Sequence, residues 1–189
     1  MQQFFRTKLF LGLLLFLFVF SSCKKEDPVP IYDQKAQLLA GSKGQSKNWK
    51  LTSYSLTLPN GDFLDVFEAE DLGFKATCTR DDIYKFSNNP TQSYESNEGA
   101  TKCSDTDPAL IEKGTWFFSN DAMWINISPD IVNSESYGLF TKLFYDGDFL
   151  GLGVVAGKIN ELTENNMRVE FTYSNGTQTL KVNLIFTKA

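Results

Sequence analysis

The sequence predicts an all-β protein, an antiparallel up-and-down β-barrel of about 8–10 strands with a short N-terminal helix. Three observations lead there. From Asn48 onward, short segments alternate apolar and polar side chains, a period of two that buries one face of a strand and wets the other. Turn clusters such as Pro59-Asn60-Gly61-Asp62, Asn88-Asn89-Pro90 and Asn175-Gly176 separate these segments, as expected between antiparallel neighbours. No motif recurs at the period of roughly 20–50 residues that marks solenoids and propellers. Closing the sheet removes edges that would otherwise template aggregation, so a barrel is preferred over an open layer.

The chain opens with Arg6 and Lys8 ahead of an apolar run over residues 9–20. That run is well short of the roughly 20 residues a membrane-spanning helix needs, so it reads as a secretory signal. Its end, Phe20-Ser21-Ser22-Cys23, resembles a bacterial lipobox, in which the cysteine becomes the acylated first residue; Phe20 stands where Leu is usual. Residues 1–22 are therefore expected to be a removed lipoprotein signal peptide, residues 23–42 a lipidated tether and short helix, and residues 43–189 the barrel domain. Lys24-Lys25-Glu26-Asp27 with Pro28 and Pro30 is polar and extended, with nothing to pack. Its charge order resembles a signal that carries some Gram-negative lipoproteins to the cell surface. The expected location is the outer membrane, held through the lipid on Cys23, on its periplasmic or its outer face.

Composition excludes several functions. The 189 residues carry 18 Lys and Arg against 23 Asp and Glu, a net charge of −5, and loss of Arg6 and Lys8 with the leader takes it to −7. Such a chain lacks the basic footprint of nucleic-acid binding. Histidine is absent, which removes the usual general base of Ser and Cys hydrolases and the commonest metal ligand. No enzyme activity, metal or cofactor is implied, and a monomer is expected. With Cys23 lipidated, Cys78 and Cys103 remain as an even pair in an exported chain. They are expected to pair as a disulfide, worth about 3–4 kcal/mol on the chain-entropy account, with two free thiols as the alternative.

Taken in order, residues 33–40 form a short helix with Asp33 as N-cap and Gly41 behind it. Residues 49–56 alternate as the first strand. Residues 63–72 fit a helix, or a short strand in their first half, and lead into an elaborated loop through Cys78. Residues 82–86 and 92–96 read as strands, and 114–118 with 123–127 as a hairpin around Ser119-Asn120-Asp121-Ala122. Residues 139–145 and 149–159 flank Asp146-Gly147-Asp148 and read as another hairpin. Gly151, Gly153 and Gly157 share one face of its second strand, where glycine marks a bend or a close approach. The last pair is the clearest. Met167, Val169, Phe171 and Tyr173 alternate with polar residues, and Leu180, Val182, Leu184 and Phe186 answer them after Asn175-Gly176.

Asn48-Trp49-Lys50-Leu51, Cys78 with Asp81-Asp82-Ile83-Tyr84-Lys85-Phe86, Cys103, Gly114-Thr115-Trp116 and the late hairpins together resemble the lipocalin-like domain family of bacterial lipoproteins, over about residues 43–188. The resemblance implies an eight-stranded barrel, often with a cavity for a small apolar ligand, and no catalytic residues. In lipocalins proper a Gly-x-Trp opens the first strand and a late Arg packs on that Trp. Here Gly44 lies five residues before Trp49, and Lys181 and Lys188 are the cations of the last strand. The expected function is the binding of a small hydrophobic ligand, with Met167, Val169, Phe171, Leu180, Val182 and Leu184, near Trp116, as the inward set. The rival is a surface module that binds a glycan or envelope protein through loops such as residues 63–72. Trp49, Trp116 and Trp124 either fill the core or line a site. Asp81/Asp82, Asp105/Asp107 and Asp146/Asp148 fall at turns, which explains them more simply than a glycosidase pair does.

Overall fold

The computed structural model describes residues 28–69, 76–102, 104–106, 108–130, 138–145, 155–174 and 176–189. The leader, Cys23, Cys103, Asp146-Gly147-Asp148, Gly151 and Gly153 lie outside them.

Strand β1 (Ser46–Thr57) is where the sheet closes on itself. From it the chain passes through β2 (Phe63–Asp65), β3 (Ile83–Ser87), β4 (Ser93–Asn97), β5 (Leu110–Phe118), β6 (Trp124–Pro129), β7 (Val155–Leu162), β8 (Asn166–Ser174) and β9 (Thr179–Lys188). From β3 on, each strand pairs antiparallel with the next, and β9 returns to β1 along Trp49–Lys188 through Thr57–Lys181. The result is a closed eight-stranded up-and-down antiparallel barrel with little helix. Short β2 stands outside the count. It borrows the edge of β1 at residues 55–57, beyond residues 46–50, where β1 pairs with β3. A bulge at Thr52 bends β1, and the Thr52 hydroxyl donates to the Ile185 carbonyl across the seam.

The alternation in the sequence becomes the inside and outside of this barrel. Trp49 and Leu51 on β1, Tyr84 and Phe86 on β3, Trp116 and Phe118 on β5, Ile125 and Ile127 on β6, and Met167, Val169 and Phe171 on β8 are buried, while their neighbours face outward. Gly157 on β7 is an inward position with no room for a side chain. A Cβ there would meet Val169 and Phe171 on β8, the close approach that a strand glycine signals.

Three short helices complete the described chain: α1 (Ile31–Ala40), α2 (Ala76–Thr79) and α3 (Leu139–Tyr145). Helix α1 begins two residues earlier than expected. Pro30 is its N-cap and makes no side-chain capping bond, so Asp33 sits within the first turn and is not the cap. The fixed φ of proline suits a helix start without a capping side chain. Residues 63–65 settle as the strand alternative, followed by a turn that buries Val66 and Phe67.

A larger expectation is also overturned. Residues 139–145 are a helix and do not form the first strand of a hairpin. Leu139, Phe140 and Leu143 are all buried, an i, i+1, i+4 spacing that puts them on one helical face. The first helical amides are satisfied by a side chain from β5, as the next section describes. That partner is remote in sequence, and nothing local announces it.

Candidate functional site

The candidate site is the barrel interior, whose two ends are closed differently. At the end where β1 begins and β3 stops, α1 lies across the opening and buries Ala36, Leu39 and Ala40. The last carbonyls of a helix have no intrahelical partners, and here barrel side chains supply them. The Trp49 indole N–H donates to the Leu39 carbonyl at 2.8 Å, Lys47 Nζ to Leu38 at 3.0 Å, and Asn88 Nδ2 to Gly41 at 2.8 Å. Lys47 also pairs with Glu164 at 2.6 Å and holds its carboxyl below the usual range. The cation suits the negative end of the helix dipole. At the start of α1, the Tyr32 hydroxyl bonds the Gln92 side chain and its ring meets Phe118 edge-on.

At the opposite end α3 is inserted. Phe140 is 1 % exposed, and its ring lies among those of Tyr84, Tyr94, Phe171 and Phe186, with centroids 5.4–6.5 Å away. Each such pair contributes about 0.5–1.5 kcal/mol beyond area burial. The first amides of α3 are held by Glu112 near the start of β5. Glu112 Oε1 accepts the Phe140 N–H at 3.2 Å, and Oε2 accepts the Thr141 N–H and hydroxyl, each at 2.9 Å. A Cβ on Gly138 would strike this carboxylate, so glycine lets the chain pass beside it. The Tyr173 hydroxyl, on β8, donates to the Leu143 carbonyl further along the helix.

Glu112 is almost fully buried, and burial pushes its pKa up even though three hydrogen bonds favour the carboxylate. Hydrogen bonds to a charged group contribute about 1.5–3 kcal/mol each, whereas desolvating the ion costs several kcal/mol; here the second effect is the larger. Register places Glu112 in a polar row, since it pairs with Ser96 on β4, which pairs with Tyr84 on β3, all pointing inward. One rung away is Tyr94, 1 % exposed, whose hydroxyl has no hydrogen-bond partner among the described residues. Burial first, then Glu112, raises the pKa of both tyrosines above the usual phenol value.

The sequence-derived ligand set lands mostly in this interior. Trp116, Met167, Val169, Phe171, Val182 and Leu184 are buried in one core. Leu180 is only half-buried, because it pairs with Tyr173 where β8 and β9 run out at the α3 end. Trp49 fills the core and binds α1, whereas Trp124 faces outward at 39 % exposure. Asp81 and Asp82 act as acceptors for the link after β4. Asp82 takes the Gly99 N–H at 3.2 Å and Asp81 the Thr101 N–H at 2.8 Å. Asp82 is buried, and desolvation pushes its pKa up to about 7, with Glu98 and Asp81 adding to the rise. Asp105 is exposed, and Asp107 lies outside the described residues. Cys78 is buried in α2.

Glu112 and Phe140 escaped the sequence reading. Glu112 has the same parity as Gly114, Trp116 and Phe118, so continuing the period of two backwards from the strand would have placed it inside. Phe140 sat in an apolar run read with the wrong period.

Fold and interior together define the class: a closed eight-stranded up-and-down β-barrel, filled by its own aromatic side chains and stopped by a helix at each end. No family model matches the chain, and no curated protein matches it. Among solved structures it is similar to a lipocalin-like protein from Bacteroides uniformis, at 17% identity and a TM-score of 0.41, over 76% of this chain and 96% of that one.

Proposed function

We propose that this chain is a lipid-anchored envelope lipoprotein whose barrel binds a small hydrophobic ligand, without enzymatic activity. The observation that carries the reading is the continuous apolar interior, where Trp116, Met167, Val169, Phe171, Val182 and Leu184 converge and a single inserted ring, Phe140, takes the place beside Phe171 and Phe186. A barrel of eight strands has room for its side chains or one small ligand, and a helix of seven residues is a small stopper to move. The test is native mass spectrometry of the purified protein with organic extraction of whatever it carries. A bound apolar species of defined mass supports the carrier, and a protein that neither retains nor takes up such molecules ends it.

The anchoring part of the proposal rests on the lipobox-like Phe20-Ser21-Ser22-Cys23. Labelling with radioactive palmitate, present in wild type and absent in Cys23→Ala, checks it, and outer-membrane fractionation checks the location. A Cys78–Cys103 disulfide fits the same exported setting. Gly99 and Thr101 are bonded to Asp82 and Asp81, four and three residues after Cys78.

A second reading, a surface module for a glycan or envelope protein, is favoured by one observation. Phe117, Met123 and Trp124 are all exposed at the β5–β6 hairpin, and Phe117 and Trp124 alternate with buried residues on its outer face. Phe63 is also exposed. Loss of partner capture in Trp124→Ala, with ligand uptake unchanged, supports this reading; unchanged capture removes it.

A further inference from the structure

We propose that α3 is a resident occupant, and that the place it fills takes a small aromatic molecule bearing a cationic amine, which replaces Phe140 among the rings and the α3 amides on Glu112. The inference rests on the carrier reading and gives the ligand its chemistry.

Two halves of a site are already present. The apolar half is the ring of Tyr84, Tyr94, Phe171 and Phe186, contributed by four strands and filled from outside the sheet by one side chain. An aromatic body of similar size meets the same edges and faces. The polar half is the row Tyr84, Ser96 and Glu112, with the Tyr94 hydroxyl beside it. While α3 is in place this carboxyl caps its amides; once α3 leaves, it is a buried acceptor that needs a donor, since burying an ion is expensive unless a partner meets it.

The sign of the ligand's charge follows from the neighbours. Among the described residues, the charged groups that act on the Tyr84 and Tyr94 hydroxyls are acids, namely Glu112, Asp82 and Asp130. With α3 withdrawn, Glu112 loses the two N–H groups and the hydroxyl that satisfy it. An ammonium offers three donors and the opposite charge in their place. The Tyr94 hydroxyl then supplies an acceptor within the same pocket. A carboxylate ligand would face repulsion, and an alcohol would leave the buried charge without a counterion.

The experiment uses the purified full-length protein and three probes with one body: 2-(1-naphthyl)ethylamine, 2-(1-naphthyl)ethanol and 1-naphthaleneacetate. Calorimetric titration is expected to rank the amine at least about tenfold above the other two. In Glu112→Gln, which keeps size and one acceptor, that preference should shrink to within about twofold while alcohol binding persists. In Phe140→Leu all three probes should bind several-fold more tightly, because a smaller side chain is displaced. Circular dichroism and thermal melting establish that both variants fold. Equal binding of the three probes to wild type, or an amine preference that survives Glu112→Gln, overturns the amine site and leaves the carrier reading standing. Unchanged affinities in Phe140→Leu overturn the role of α3. No binding of any probe to wild type or to Phe140→Leu removes the carrier reading and this inference together.

Discussion

The two ends of the barrel are closed by helices of similar position and opposite chemistry. Helix α1 offers its carbonyl end to the barrel, and neutral or cationic donors meet it: an indole, an amide and a lysine. Helix α3 offers its amide end and is met by a buried carboxyl. The first arrangement buries little charge and works over a wide pH range. The second stakes the closure on one ionisable group in a dry place, and its balance shifts with pH and with any competing cation. One end is built as a wall and the other as a stopper.

The largest expected effect tests the wall. Trp49→Ala removes a fully buried indole and the bond to Leu39, and should cost about 3–5 kcal/mol in denaturant unfolding. The far-UV signal and the fluorescence of the remaining Trp116 and Trp124 should change in one transition, since α1 and the barrel share a core. Separate transitions would mean that α1 is an appendage. Next comes the stopper. Glu112→Gln leaves one α3 donor without an acceptor and should cost about 1–3 kcal/mol. Hydrogen exchange should show faster opening at Phe140 and Thr141 with little change at Leu39 and Gly41. An equal rise at both ends would erase the contrast.

Acidity sharpens the comparison further. Asp82 is held near 7 and Glu112 above its usual value, so the folded state binds these protons more tightly than the unfolded chain does. Their contribution is complete below about pH 4 and declines as pH rises, for Asp82 until about 7. Protection at Phe140 and Thr141 should therefore fall as pH rises above the usual carboxylate range. Asp82→Asn, which keeps an acceptor for Gly99, should flatten part of the slope in global stability. Glu164, held low by Lys47, behaves in the opposite sense and loses its pairing only in acid. Protection at α1, read at Leu39, should be nearly level over the same range. The smallest effect is Lys47→Met. It removes an ion pair to an exposed carboxylate and one carbonyl cap, and should show only as slightly faster hydrogen exchange at Leu39 and Gly41.

Much of the wall was legible in the sequence and little of the stopper. The alternation over residues 167–173 and 180–186 describes β8 and β9 almost residue for residue, because in a half-buried strand the period is the burial pattern itself; Asn175 of the turn between them lies outside the described residues. Residues 33–40 followed by Gly41 likewise announce α1. The stopper depends on a contact between positions 112 and 140, 28 residues apart, in which each residue looks ordinary alone. Leu139-Phe140-Thr141-Lys142-Leu143 fits either period, and tertiary context selects the helix by capping its amides. Leu180 shows the same limit at smaller scale: parity placed it inward, but parity says nothing of how far a strand projects beyond the core.

The seam between β1 and β9 carries a consequence for how the protein is made. Thr52 bonds Ile185 across 133 positions, so the cylinder cannot shut before β9 is available to pair with β1. Until then the nascent chain presents the β1 edge unpaired, open to another chain's strand as much as to its own. Contacts so distant along the polymer also make spontaneous assembly slow. Helper proteins that shield an edge before closure would matter more for this chain than for a helical bundle of equal length.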